Sequence, residues 1–253
     1  MNEDRHMIHG DGVSAAVLAH GAELCSLKTA DGPELVWQAG PEWKRHAPLL
    51  FPIVGKLKGD QLRHRSASYP MTQHGFARDS RFAWEERGQT SCRLVLADNV
   101  ETRARYPFAF RFAVTYALHG RDLEVTIEIS NPGQEILQAS AGGHPAFNWP
   151  LLPGEPKENY RLEFSRDEPA PIRRLKDGLL RAAPEPSPIS IGPRAHRFAS
   201  PPTGDPRSTF PGTASASSAS GRSRAAHRSC ASSLGVASQP PRISTASLPT
   251  SPA

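Results

Sequence analysis

Cysteines, aromatic residues and long apolar runs are all scarce in this sequence, and each shortage excludes a class of protein. The three cysteines, Cys25, Cys92 and Cys230, are an odd number and have no CxxC or other metal-ligand spacing, so we expect reduced thiols rather than a disulfide framework or a cysteine zinc site. No stretch approaches the roughly 20 apolar residues that a membrane-spanning helix needs. The stretch Val13 to Ala19 is too short for a secretory core, so we expect a cytoplasmic protein with no membrane partner.

A nucleic-acid-binding surface is also missing from most of the chain, although the formal net charge is +5. From Ser200 onward there are five arginines, no lysine and a single acid, Asp205, so most of the positive excess lies there. Residues 1–199 are close to neutral and contain no basic run interleaved with aromatic residues. We therefore expect no nucleic-acid partner.

The composition favours one all-β domain. Aromatic residues make up only 7% of the chain, whereas there are 25 prolines and 20 glycines, which is typical of many short elements joined by turns. Leu123, Val125, Ile127 and Ile129 alternate with polar residues, as a strand with one buried face requires. Other predicted strands are Val13 to Leu18, Ala22 to Leu27, Leu35 to Gln38, Arg81 to Glu85, Cys92 to Ala97, Phe108 to Leu118 and Ile136 to Ala139.

One short helix is predicted over residues 98–106, because Asp98 or Asn99 can cap its start and Pro107 ends it.

The amino-acid composition changes at residue 200. Residues 200–253 contain fourteen serines, nine alanines and eight prolines, with no Trp, Tyr, Lys or Glu and no hydrophobic periodicity. Such a segment buries too little apolar surface to offset its ordering entropy, so we expect a folded domain over 1–199 and a disordered tail over 200–253.

Three segments are unlike ordinary strand and turn sequence. They are residues 43–56, which end in FPIVGK, QHGFAR at 73–78, and GGHPAFNW at 142–149. Each places titratable side chains among glycine, proline and aromatic residues. This mixture is expected where loops line a pocket that meets both the hydroxyls and the apolar faces of a sugar.

Together and in this order, the three segments resemble the aldose 1-epimerase (mutarotase) family, in particular its smaller bacterial members. GAEL at 21–24, LVWQ at 35–38 and ETRARYPF at 101–108 support the resemblance, which covers roughly residues 12–180. It implies a large antiparallel β-sandwich of the galactose-mutarotase type and a free aldose or hexose phosphate as substrate.

The resemblance also implies site residues for acid–base opening of the sugar ring. An acid protonates the ring oxygen while a base removes the proton of the C1 hydroxyl, with no metal or other cofactor. The family's acid corresponds to His144. A second, sugar-orienting histidine corresponds to His74, and a basic residue that the family often has as arginine corresponds to Lys56, which lacks bidentate geometry.

Other residues near the motifs have two interpretations. Arg78 and Arg45 are either sugar ligands or solvated charges paired with a neighbour such as Asp79. Phe147 and Trp149 either stack on the sugar or pack in the core. We interpret His20, His46, His64 and His119 as surface or turn residues. A cupin-like metal enzyme is a further, weaker hypothesis, in which histidines would bind a metal ion. No HxH or HExxH spacing supports such a metal site.

The family's catalytic base, a glutamate near the C-terminus in a segment like WSKPG…FVCIEPW, has no counterpart. No glutamate follows Glu185 and no tryptophan follows Trp149. Reading the gene in a shifted frame allows WSKPGGAPFVCIEPW over residues 220–235. We therefore predict that the tail is a frameshifted translation that begins between about 192 and 209. A sandwich truncated at its C-terminal edge, with unpaired strand edges, follows.

Two functions from different classes remain open on these grounds. One is an aldose 1-epimerase that is impaired because its base is missing, and the other is a non-catalytic carbohydrate-binding protein.

Overall fold

The computed structural model describes residues 4–30, 32–163, 173–181, 197–199, 212–214 and 242–247. Nearly all regular structure within these residues is strand. The strands are β1 (Arg5–Gly10), β2 (Val13–Leu18), β3 (Leu24–Thr29), β4 (Leu49–Leu50), β5 (Gln61–His64), β6 (Ala67–Pro70), β7 (Ala83–Arg87), β8 (Ser91–Ala97), β9 (Arg111–His119), β10 (Asp122–Ser130), β11 (Gly142–Gly143), β12 (Arg161–Glu163), β13 (Leu175–Lys176), β14 (Leu179–Leu180), β15 (Arg197–Ala199), β16 (Gly212–Ala214) and β17 (Arg242–Ser247).

Two antiparallel sheets make up most of the fold. Strands β1, β2 and β3 form a three-stranded sheet, and an eight-stranded sheet has the order β12-β15-β16-β17-β10-β9-β8-β7. Side chains from both sheets, such as Val17 of β2 and Val114 of β9, belong to one buried core. The predicted all-β sandwich is confirmed.

Strand β10 shows how the sequence pattern becomes a packed face. Leu123 and Ile127 are buried in the core, and Val125 and Ile129 pack against it. The intervening residues carry charged and hydroxyl side chains, and β10 pairs in unbroken register with β9 from Asp122↔His119 to Ser130↔Arg111. Period-two alternation therefore identified both the strand and its buried face.

The single α-helix described, α1, spans Val100–Arg105. The Asn99 side chain accepts a hydrogen bond from the Thr102 N–H, and the Thr102 hydroxyl accepts one from the Asn99 N–H. This capping box satisfies donors that a helix start leaves unpaired. The predicted helix is confirmed, with Asn99 rather than Asp98 as its cap. Among the described residues, no helix has the length and apolar character to cross a membrane.

Two predicted strands are wrong. Leu35 to Gln38 forms only an isolated bridge between Val36 and Phe147. Residues 136–139 form no strand: Ile136 is 80% exposed, whereas Leu137 is buried. The carbonyl of Gln138 accepts a hydrogen bond from the Tyr106 hydroxyl. The hydrogen bond to this carbonyl therefore comes from a side chain of another part of the chain and not from a neighbouring strand.

Short strands are present in the part of residues 200–253 that the structure describes. Strands β16 and β17 lie within 200–253, and β17 pairs antiparallel with β10 through Leu123↔Ala246 and Val125↔Ile243. The edge of β10 is therefore paired there, not open. In the sequence Arg242–Ser247, the β-branched residues Ile243 and Thr245 stand at alternate positions. This is a weak strand pattern within a segment whose overall composition does not favour strands. The rest of the predicted tail lies outside the described residues, as does Cys230, and the division at 199/200 stays a prediction.

Candidate functional site

Residues 46–55 of the first motif segment lie between the other two motif segments and are hydrogen-bonded to both. On one side, β4 pairs with β11 through Leu50↔Gly142 and Leu49↔Gly143. The N–H of His144 donates to the carbonyl of Pro48 at 3.0 Å, which continues this pairing. On the other side, Phe51 bridges to Gly75. Residues far apart in sequence therefore meet through backbone hydrogen bonds.

Gly75 permits the close approach of the QHGFAR segment. Its φ is +74°, and a Cβ at this position would lie 2.2 Å from the carbonyl oxygen of Phe51. The same oxygen accepts hydrogen bonds from the N–H groups of Phe76 and Ala77 at 3.0 and 3.1 Å. Only glycine combines this backbone conformation with this contact.

Buried aromatic rings pack together where residues 46–55 meet the QHGFAR segment. The rings of Phe51 and Phe112 are stacked, with centroids 4.5 Å apart. Phe51 also meets Phe76 edge to face at 6.3 Å, and both rings contact Tyr106. These side chains are almost fully buried, so the segments that carry His74 and Lys56 rest on a rigid base.

His74 is held in a left-handed conformation, with a φ of 68°. Its N–H donates to the carbonyl of Gly55 at 2.7 Å, and its Nδ1 accepts from the Gly55 N–H at 3.0 Å. A nitrogen that accepts a hydrogen bond carries no proton, so the proton of the neutral ring lies on Nε2. Burial, together with the charges of Arg78 and His144, lowers the pKa of His74 below its ordinary value. His74 is therefore a neutral donor through Nε2.

His144 lies beside His74. The two ring centroids are 6.5 Å apart, in an edge-on arrangement. On the side chain of His144, the imidazole also contacts the ring of Trp43, and the two ring centroids are 5.3 Å apart. The His144 side chain remains exposed, so a solute can reach it. Trp43 is the first residue of the first motif segment, but nothing in the sequence distinguishes it as a site residue.

Lys56 follows directly on Gly55, the backbone partner of His74. Its Nζ lies 3.3 Å from the Asp60 carboxylate, and its side chain is 34% exposed. The turn at Gly178, between β13 and β14, packs against the Lys56 stem, because a Cβ added at Gly178 would lie 3.0 Å from Cδ of Lys56. The ammonium group is thus placed from two sides.

Arg78 and Arg45 share one carboxylate. Arg45 pairs with Asp79 at 2.7 Å, and Arg78 donates to the carbonyl of Gln73 at 2.7 Å. The Nε of Arg78 is buried without a hydrogen bond and lies 3.7 Å from Asp79. Arg45 and Arg78 therefore both have Asp79 as an acidic neighbour, and their role as sugar ligands stays a prediction.

Phe147 and Trp149 lie further along the third motif segment. Phe147 is half-buried, and its backbone pairs with Val36. The ring of Trp149 is 5.4 Å from that of Tyr160, and Trp149 with Trp37 lines a separate cavity of about 400 Å³. A role for Phe147 in stacking on a sugar stays a prediction.

The four histidines interpreted as surface or turn residues divide into two groups. His20 and His119 are exposed, in keeping with the surface interpretation. His64 packs edge-on against Phe108, with ring centroids 4.6 Å apart, and His46 lies 3.7 Å from the carboxylate of Glu23. His46 lies in a loop, in keeping with the turn interpretation, but its Nδ1 is buried. Among the described residues, no group of three His, Cys, Asp or Glu side chains is arranged to hold a metal ion.

The aldose 1-epimerase family model matches residues 5–198, which is most of the chain. The chain belongs to the aldose 1-epimerase family. Protein LacX of Lactococcus lactis subsp. lactis is 37% identical over 169 residues, which cover 63% of this chain and 56% of LacX. The chain therefore spans little more than half the length of this curated relative.

Two solved structures from lactobacilli share the fold. The galactose mutarotase related enzyme of Lactobacillus acidophilus has a TM-score of 0.67 and 35% identity, covering 83% of this chain and 69% of that protein. A galactose mutarotase-like protein of Lactobacillus casei has a TM-score of 0.66 and 30% identity, covering 83% and 71%. These similarities agree with the resemblance that the three motif segments carry.

Proposed function

We propose that this chain binds an aldose or a hexose phosphate between His144, His74 and Lys56, and that it is an aldose 1-epimerase whose catalysis is impaired. The observation that carries the proposal is the pair of imidazoles, from two distant motifs, at a centroid distance of 6.5 Å. Family membership supports the reaction class.

In this proposal, each side chain has a distinct task. His144 donates a proton to the ring oxygen of the sugar, as the family's acid does. The neutral His74 donates a hydrogen bond from Nε2 to a sugar oxygen, and this donor is present over the whole pH range above its lowered pKa. Lys56 and Arg78 offer cationic donors for hydroxyl or phosphate oxygens.

The base is what this chain lacks. No glutamate follows Glu185, and the last residue of the family match, 198, lies within the interval 192–209 in which we place the start of the shifted frame. Without a base, the C1 hydroxyl loses its proton only to solvent, so ring opening is slow. This same observation favours the second candidate, a carbohydrate-binding protein with no catalytic role.

The binding proposal is tested by titrating the chain with glucose, galactose and their 6-phosphates while the His74 and His144 ring signals are followed by NMR. We expect both signals to shift with saturation, and His74→Ala to weaken binding. His119→Ala, which changes an exposed histidine outside the site, is the matched control. If no sugar moves either imidazole signal, the proposal is wrong.

The cytoplasmic location stays part of the proposal. The two cysteines in the described part of the chain, Cys25 and Cys92, are buried free thiols, which suits a reducing compartment. Metal analysis of the purified protein would test the cupin-like reading, which a stoichiometric ion would support.

A further inference from the structure

A buried carboxylate lies behind the segment that carries His144. Glu23, in the GAEL motif, is 7% exposed. One oxygen, Oε1, accepts hydrogen bonds from the N–H groups of His46 and Ala47 at 2.8 and 2.9 Å. The other, Oε2, lies 3.7 Å from the buried Nδ1 of His46. A buried carboxylate is tolerated only where such partners replace water, so this geometry is tightly specified.

Residues 46–48 also hold the catalytic candidate. The carbonyl of His46 accepts from the Ala146 N–H at 2.9 Å, and the carbonyl of Pro48 accepts from the His144 N–H at 3.0 Å. His46 therefore contacts Glu23 through its N–H and the His144 segment through its C=O. Residues 46–48 are therefore hydrogen-bonded directly both to the Glu23 carboxylate and to the backbone of the His144 segment.

Glu23 itself is firmly anchored. Its carbonyl accepts from the Leu18 N–H at 2.9 Å, and the neighbouring Ala22 carbonyl accepts from the buried Tyr116 hydroxyl at 2.8 Å. The backbone at Ala22 and Glu23 is thus hydrogen-bonded to both sheets, because Leu18 belongs to β2 and Tyr116 to β9. A shift of residues 46–48 away from Glu23 would therefore strain or break the hydrogen bonds of His46 and Ala47 to its carboxylate.

We propose that Glu23 is a positioning residue for His144, which acts by fixing residues 46–48 through their N–H groups. The importance of this position for catalysis rests on the proposed function, whereas the structural coupling does not. The length of the side chain matters more than its charge, because the two N–H groups need an oxygen at one point in space. Glu23→Gln keeps that oxygen, and Glu23→Asp withdraws it by one methylene.

The experiment is amide hydrogen exchange by mass spectrometry on peptides that cover 142–148, in the 253-residue chain. We expect Glu23→Asp to speed exchange there by about 10- to 100-fold, the range expected when a buried hydrogen-bonding group is left unpaired. Glu23→Gln should stay within about threefold of the parent, since the acceptor is retained. Glu23→Ala should exceed Glu23→Asp if it folds.

Asp98→Ala is the matched control. Asp98 also accepts a backbone N–H bond, from Phe110 at 2.9 Å, and pairs with Arg103, but it has no bond to residues 46–48 or 142–148. It should change exchange near Phe110 and leave 142–148 unaffected. The proposal is overturned if Glu23→Asp leaves 142–148 unchanged, if it raises exchange equally everywhere, or if Glu23→Gln behaves as Glu23→Asp does.

Sugar binding separates this inference from the proposed function. If the exchange pattern is as expected and Glu23→Asp also weakens sugar binding relative to Glu23→Gln, the results support both the coupling of Glu23 to His144 and the proposed function. Exchange changes in a chain that binds no sugar would leave the coupling intact and remove the proposed function. Normal sugar binding with unchanged exchange in Glu23→Asp would remove the coupling alone.

Discussion

The imidazole of His74 carries a prediction that belongs to the residue scale. Burial, together with the charges of Arg78 and His144, disfavours its cationic form and lowers its pKa. We expect the C2 proton of His74 to titrate below pH 6.5 in NMR spectra. Arg78→Gln should raise the pKa toward that of the same histidine in urea-unfolded protein, because it removes a neighbouring positive charge.

The same shift makes stability depend on pH. Because the folded-state pKa of His74 lies below the unfolded value, the unfolded chain binds more protons between the two values. The contribution of neutral His74 is therefore fully present above about pH 6.5 and is lost as the pH falls through the folded-state pKa. A His74 pKa at or above 6.5 in the folded protein would contradict this account.

Gly75 provides a second prediction at this scale. Gly75→Ala adds both a left-handed alanine and a clash, since its Cβ would lie 2.2 Å from the Phe51 carbonyl oxygen. Gly12 has a similar φ of +71° but open space around the added Cβ. We expect Gly12→Ala to lower the free energy of unfolding by about 1–2 kcal/mol, the conformational cost alone. Gly75→Ala should cost clearly more in urea unfolding, and equal costs would show that Phe51 yields without penalty.

At the scale of elements, strand β17 provides the sharpest test. Its backbone pairs with β10 over Asp122 to Thr126, whereas within the described ranges residues 127–130 of β10 pair with β9 alone. Removing residues 242–253 should therefore speed amide exchange at alternate positions of 122–126 and leave 127–130 less affected. Exchange that does not change would mean that β17 is undocked in solution, as the composition of the tail predicts.

At the scale of the whole molecule, the prediction concerns catalytic competence. We expect this chain to accelerate the mutarotation of α-glucose or α-galactose little or not at all. A frame-restored version should be faster by about 10²- to 10⁴-fold, the usual contribution of one general base. Polarimetry of both proteins at equal concentration measures the difference.

Two further variants test the cause. Changing the glutamate of the restored I-E-P-W segment to glutamine should return the rate to that of the present chain, and His144→Gln in the restored protein should also be slow. A restored protein that is no faster, or a glutamine variant with full activity, would refute the account of the missing base. A binding protein without catalysis would then be the better reading.

Much of the fold followed from local pattern, and the failures share a cause. Alternation over Leu123 to Ile129 identified β10, and the capping residues located α1, because both signals depend on neighbours in sequence. Strand β1 has little alternation and was missed, while residues 136–139 had a strand composition but found a different hydrogen-bond partner. Non-local pairing decided these cases.

The candidate site shows the same division. Sequence alone determined which residue types were available: two histidines and a lysine in motifs that match the family, and no late glutamate. Only the tertiary structure decided that residues 46–55 lie between the other two motifs, that Nδ1 of His74 is an acceptor, and that Glu23 anchors the segment beside His144. These are contacts between residues distant in sequence, and their geometry depends on packing that no local pattern encodes.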